Sequence, residues 1–142
     1  MQTVPTPETS LQPHAIGMPL AFLRLEGLAA LLAGALGYLA LGGHALLLVP
    51  FLLLVDVSMA GYLAGPRVGA LVYNVAHNCS AGLAVLGLAA ILGSPGLALA
   101  GAILVAHTGM DRLAGYGLKY PTAFEHTHLG VIGRGRRPAR AR

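Results

Sequence analysis

The chain has 142 residues, of which 56% are hydrophobic and only 10% charged, with a formal net charge of +4. Soluble domains carry about 25% charged residues, so this surface is too apolar for a water-soluble globule, and the apolar content excludes a solvated, disordered coil. A single cysteine, Cys79, excludes an internal disulfide and any Cys-based zinc or iron–sulfur site.

Residues 1–19 are polar, punctuated by Pro5, Pro7, Pro13 and Pro19, and free of Lys and Arg. A secretory leader needs a basic start and a cleavage site, so this stretch reads as a flexible tail before a retained first span. A membrane-crossing helix needs about 20 mostly apolar residues. The first such run is Leu20 to Leu41, ending at Gly42–Gly43, and the second is Ala45 to Ala64, ending at Gly65–Pro66–Arg67. The third runs from Val68 to Leu92 and stops at Gly93–Ser94–Pro95–Gly96; the fourth runs from Leu97 to Leu113. Four apolar runs joined by short Gly/Pro breakers predict an all-α fold, a four-helix up-down-up-down bundle. The expected organisation is a tail (1–19), a membrane domain (20–120) and a C-terminal segment with a basic tail (121–142).

Arg24, Arg67, Arg112, Lys119 and the five Arg of Gly133–Arg142 all fall on one side of that topology, and the loops at Gly43 and Pro95 carry no Lys or Arg. The positive-inside rule then places both termini in the cytoplasm. Residues 115–130, GYGLKYPTAFEHTHLG, are too broken by Gly and Pro for a helix. Tyr116, Tyr120 and Phe124 suit a membrane–water interface, and His126 and His128 are expected to fold back over the cytoplasmic mouth. The Arg-rich tail suits anionic lipid; nucleic-acid binding would want aromatic residues interleaved with the Arg, which are missing.

Polar side chains sit at one depth of these spans. Arg24 and Glu26 start the first; Asp56, Ser58 and Tyr62 end the second; Tyr73, Asn74, His77 and Asn78 begin the third; His107, Thr108, Asp111 and Arg112 end the fourth. Residues 73, 74, 77 and 78 form one helical stripe, and His107 and Asp111 stand one turn apart. Pro50 is expected to kink the second span and widen the bundle near Asp56. Small residues at four-residue spacing, as in Ala76, Ser80 and Ala84, predict close helix packing. A lone buried His is ordinarily polar glue between helices. Two of them with Asp56, Asp111 and Glu26 at one depth point instead to a working chamber. Asp56 and Arg112 are also placed to neutralise each other across helices, and Glu26 to pair with Arg24 or Arg67.

The segments FLRLEGLA (22–29), GYLAGPRVGALVYNVAH (61–77), AHTGMDRLAGYGLKY (106–120) and THLG (127–130) together resemble a bacterial membrane-protein family catalogued as domain of unknown function 4260. The resemblance covers about residues 20–132, and its pattern includes Arg24, Glu26, Asp56, Arg67, Asn74, His77, His107, Asp111, Arg112, Lys119 and His128. Where His126 stands the family often has Asp. The resemblance implies a small multi-span protein of the bacterial inner membrane and brings no established activity.

The leading functional expectation is a membrane-embedded enzyme using acid–base or metal-assisted chemistry on a lipophilic substrate. His77, His107, Asp56 and Asp111 are the catalytic candidates, and His77, His107, Asp111 and His128 the candidate ligands of a divalent metal. Arg67, Asn74, Arg112, Lys119 and Tyr116 are the candidates for substrate binding, the cations holding an anionic head group. The alternatives are an accessory or cofactor-binding subunit, with two His ligating a haem, and a small transporter. The aliphatic outer half and missing repeat weigh against transport. A chain this short is expected to self-associate or join a larger membrane complex.

Overall fold

The computed structural model describes residues 15–132. Its helices are α1 (Gly17–Ala40), α2 (Ala45–Leu54) continuing as a 3-10 helix (Val55–Ala64), α3 (Pro66–Ala76), α4 (Cys79–Leu92) and α5 (Pro95–Ala114). A small hairpin follows, β1 (His126–Thr127) antiparallel to β2 (Gly130–Val131). The Arg-rich tail and most of the N-terminal tail lie outside the described residues.

Three helices are long and apolar enough to cross a membrane: Gly17–Ala40, Ala45–Ala64 and Pro95–Ala114. The third expected span is not continuous; it is α3 and α4, bent by 49° at a short break. The cause is Asn78. Its backbone is extended (φ −125°, ψ 145°), and its side-chain oxygen accepts from Ala81 N at 2.9 Å, an N-cap for α4. The same amide donates to the carbonyls of Asn74 (2.6 Å) and Val75 (3.0 Å), which α3 would otherwise leave bare at its end. The bend also separates Ala76 from Ser80 and Ala84, so these three do not share one helix face.

Pro50 lies inside α2, but the change of winding comes after it, at Val55. A 3-10 helix has three residues per turn, so side chains at i and i+3 eclipse one another. Asp56, Met59 and Tyr62 therefore line up on one edge, whereas α-helical winding would fan them out.

Helix α5 is the hub, packed against α1 on one flank and α4 on another. Glycine makes both seams. A Cβ on Gly27 would stand 2.6 Å from Leu113 N, and one on Gly101 2.9 Å from Leu86 N. Backbones can approach this closely only where small residues meet. Leu46, Leu63 and Ile91 stand exposed on the outside, part of an apolar surface far broader than soluble monomers present.

The chain leaves α5 at Gly115, whose φ of 92° belongs to the left-handed region. It then folds back over the ends of α3 and α5. Asn74 ties it down, accepting from Lys119 N at 2.7 Å and donating to Lys119 O at 2.9 Å. Lys119 bridges to Thr127, which joins the hairpin to this strap.

Candidate metal centre

Three ligand atoms converge where the 3-10 helix, the end of α3 and α5 meet: one each from Asp56, His77 and His107, all within 4.8 Å of one another. Asp56 Oδ1 is the hub, 3.3 Å from His77 Nε2 and 3.6 Å from His107 Nε2. Ligands of a tetrahedral zinc at 2.0–2.1 Å stand about 3.3–3.4 Å apart, so the two separations from Asp56 are close to the edges of a coordination polyhedron.

The hydrogen-bond pattern says more than the distances. His77 Nδ1 lies 3.0 Å from the Tyr73 carbonyl, an acceptor only, so Nδ1 carries the hydrogen. In the neutral ring Nε2 then holds a lone pair, aimed at a carboxylate oxygen that is also an acceptor. Both imidazoles are fully buried, and neither ring nitrogen of His107 has a hydrogen-bond partner. Leaving a buried polar atom unpartnered costs about 1–3 kcal/mol. A shared proton would satisfy two of the converging atoms; a cation satisfies all three.

Ser58 Oγ is 3.4 Å from His77 Nδ1. Because that nitrogen's hydrogen is directed to Tyr73, it cannot act as base toward Ser58, and the Ser–His–Asp grouping is not a nucleophile system.

Asp111 stands just behind the three ligands, its oxygens 3.9 Å from each Nε2. It accepts a 2.6 Å hydrogen bond from the Tyr73 hydroxyl. The Tyr73 ring stacks on His77 at 3.7 Å between centroids, and the two imidazoles meet edge to face at 4.7 Å. That spacing leaves no slot for a porphyrin between the rings, which counts against the haem alternative.

A cavity of about 600 Å³ opens beside the centre, with Asp56, Asp111, Lys119, Tyr116, Met59 and Phe124 in its wall. Glu125 also faces it, so the wall carries three carboxylates and one ammonium. Lys119 Nζ donates to the Phe124 carbonyl at 2.9 Å and lies 3.5 Å from the centre of the Phe124 ring. Burial holds its pKa below the ordinary lysine range, against the pull of Asp111, Glu125 and Asp56.

Several expected roles change. His128 is not among the converging ligands: its Nδ1 accepts from Leu118 N at 2.8 Å and fixes the strap, and Asp56 supplies the third ligand atom. Arg112 does not pair with Asp56; its guanidinium donates to the carbonyls of His77 (2.9 Å) and Tyr116 (2.6 Å). Asn74 likewise spends its amide on Lys119. Arg67, Arg24 and Glu26 are exposed and outside the cavity wall. Among the described residues the ion-pair contacts are all between His and Asp, so Glu26 has no Arg partner. Tyr73, the positioner of Asp111, was visible in sequence only as a member of the polar stripe.

No curated protein and no solved structure matches the chain. One protein family does, over residues 20–132. That match spans most of the chain and carries all three converging residues together with Asp111. The chain belongs to the family described as Domain of unknown function (DUF4260).

Proposed function

We propose that this is a multi-span membrane protein whose His77–His107–Asp56 centre holds a divalent metal and performs metal-assisted acid–base chemistry on a lipophilic substrate. The observation that carries the reading is the convergence of two buried imidazole nitrogens on one carboxylate oxygen, with His107 otherwise unpartnered. The aliphatic surface and the placement of Lys and Arg support a bilayer setting with the centre near the cytoplasmic face and both termini on that side. We take 20–120 as the membrane domain and the segment from 121 as its cytoplasmic cover. The Arg-rich tail is assigned to anionic lipid.

A metal bound there supplies Lewis acidity and lowers the pKa of a coordinated water. The remaining roles belong to the chain. Asp111 lies behind the ligands, has one oxygen held by Tyr73 and presents the other toward the centre, the placement of a general base. His77 is kept in one tautomer by the Tyr73 carbonyl, so its Nε2 stays available as a ligand. Lys119 and Tyr116 line the route by which the polar part of a substrate reaches the centre.

The test is the metal content of the detergent-purified protein beside His77→Ala, His107→Ala, Asp56→Asn and His128→Ala variants. We expect stoichiometric metal in the wild type and in His128→Ala, and loss in the other three. A wild-type protein that retains no zinc, manganese or iron after each has been supplied overturns the reading.

A further inference from the structure

A second cavity, of about 450 Å³, lies between α2 and α5 further from the strap, with Phe51, Leu54, Leu99, Ala100 and Leu104 in its wall and Tyr38 at its side. It is almost wholly apolar. Its position relative to the metal centre follows from helix periodicity. Leu99, Ile103, His107 and Asp111 recur every four residues, so each neighbours the next in a band that winds gradually round α5, by about 40° per step. The first two wall the groove, the third is a ligand, and the fourth faces the other cavity. On the opposite wall Leu54 and Val55 face the groove, and the next residue, Asp56, is both a ligand and a wall of the polar cavity. Along the seam between α5 and the α2/3-10 helix, the apolar groove therefore ends one turn from His107 and one residue before Asp56, and Asp56 and Asp111 in turn line the polar cavity.

Such a seam has a definite polarity. One end offers Lys119, Tyr116 and carboxylates; the other offers only aliphatic and aromatic surface. From His107 back to Gly96 the helix rises about 16 Å. Tyr38 flanks the groove, its ring edge-on to Phe51 at 6.4 Å and its hydroxyl donating to the His44 carbonyl at 3.3 Å in the α1–α2 loop.

We infer that the substrate is a single-chain amphiphile of fatty-acyl length, its hydrocarbon chain lying in the α2–α5 groove and its polar end at the metal centre. The inference rests on the reading above for what happens at the polar end, but chain binding is measured separately from metal. The groove commits to a hydrocarbon chain because it offers a head group almost no polar surface and ends beside residues that line a cavity that does.

The experiment uses the full chain in lipid nanodiscs and a palmitate probe with a photoreactive diazirine near the end of its chain. Labelled peptides are mapped by mass spectrometry, with and without excess unlabelled palmitate. Saturable labelling confined to Phe51, Leu54, Leu99 or Leu104 is expected, competed by palmitate and not by octanoate. Ala100 is exposed in the groove wall, so Ala100→Trp should reduce saturable labelling at least tenfold while metal content stays unchanged. A Cβ on Gly96 meets nothing, so Gly96→Leu should shorten the groove, weakening competition by palmitate while laurate competes as before. Labelling that does not saturate, or that spreads equally over α4, overturns the inference even if metal is bound. Saturable labelling in a protein that binds no metal supports the groove and removes the metal reading, so the two failures are distinct.

Discussion

At the scale of single residues, the site separates the three converging groups from the residues that hold them. Tyr73 never reaches the three converging atoms, yet its hydroxyl fixes Asp111, its carbonyl fixes the His77 tautomer and its ring stacks on the same imidazole. Tyr73→Phe keeps the stacking and the carbonyl and removes one hydrogen bond. Removing such an outer-shell partner ordinarily costs about 10–100-fold in metal affinity. Titration with a competing chelator should show a loss of that size with the stoichiometry unchanged, and no loss would mean that Asp111 is held by other means. Asn74 invites a different measurement, since its two hydrogen bonds to Lys119 are its contribution. Asn74→Ala leaves the Lys119 backbone groups unpartnered, at about 1–3 kcal/mol, and should appear as faster proteolytic nicking of the strap with metal still bound.

These residues also mark how far the sequence could be read at this scale. Their depth in the apolar runs exposed them as a cluster, because charged and imidazole groups are rare there. Their partners were not legible. Asp56 joins the converging group from the 3-10 helix, and His128 stands outside it, its Nδ1 accepting from Leu118 N in the strap. Arg112 looked like a carboxylate partner, yet two backbone carbonyls lie closer. Spacing along one helix says which side chains share a face and says nothing about contacts across helices.

At the scale of elements, apolar runs and Gly/Pro breakers located α1, α2 with its 3-10 continuation, and α5 to within a few residues. The difference is in the third span, which is bent by 49° where the polar pair His77 and Asn78 interrupts its apolar run. The signal lies in Asn78 itself: an Asn followed by Cys-Ser-Ala is a reasonable N-cap, although its spacing from Asn74 also fits a continuous polar stripe. Asn78→Ala removes that cap, worth about 1 kcal/mol, and frees the carbonyls of Asn74 and Val75. The bend positions His77 against Asp56, so this substitution should weaken metal binding as well as lowering the thermal midpoint. A stability loss with unaltered metal affinity would show that the bend is held by packing alone. The α1–α5 seam makes a sharper demand. A Cβ on Gly109 would collide with the backbone at Leu31 and Gly27, and neither backbone can retreat without parting the helices. Gly109→Ala is expected to cost at least the 1–3 kcal/mol typical of overpacking, read from the denaturation midpoint in detergent.

At the scale of the whole molecule, one of the bonds that hold the cover over the polar cavity needs a neutral imidazole. His128 is pushed below its ordinary pKa of 6.5 by burial and then by the nearby Arg112 guanidinium. Its Nδ1 accepts from Leu118 N, which a proton on that nitrogen would prevent. The sign of the linkage follows from the depressed pKa. Above 6.5 the ring is neutral whether the strap is docked or free, and its contribution is complete. As pH falls below 6.5 the free strap takes up a proton that the docked strap resists, so docking weakens until the lower, docked pKa is passed. Hydrogen exchange over residues 115–132 should therefore accelerate on acidification while the centre of α5 stays protected. Other groups titrate in the same range, so the assignment needs a variant that removes only this one. Asn carries an acceptor oxygen at the bonded position of Nδ1 and does not titrate. His128→Asn should keep the hydrogen bond from Leu118 and flatten the acid limb of the exchange profile. An acid limb of undiminished steepness in that variant would place the sensitivity elsewhere, at the carboxylates facing the cavity, and would release His128 from any part in holding the strap closed.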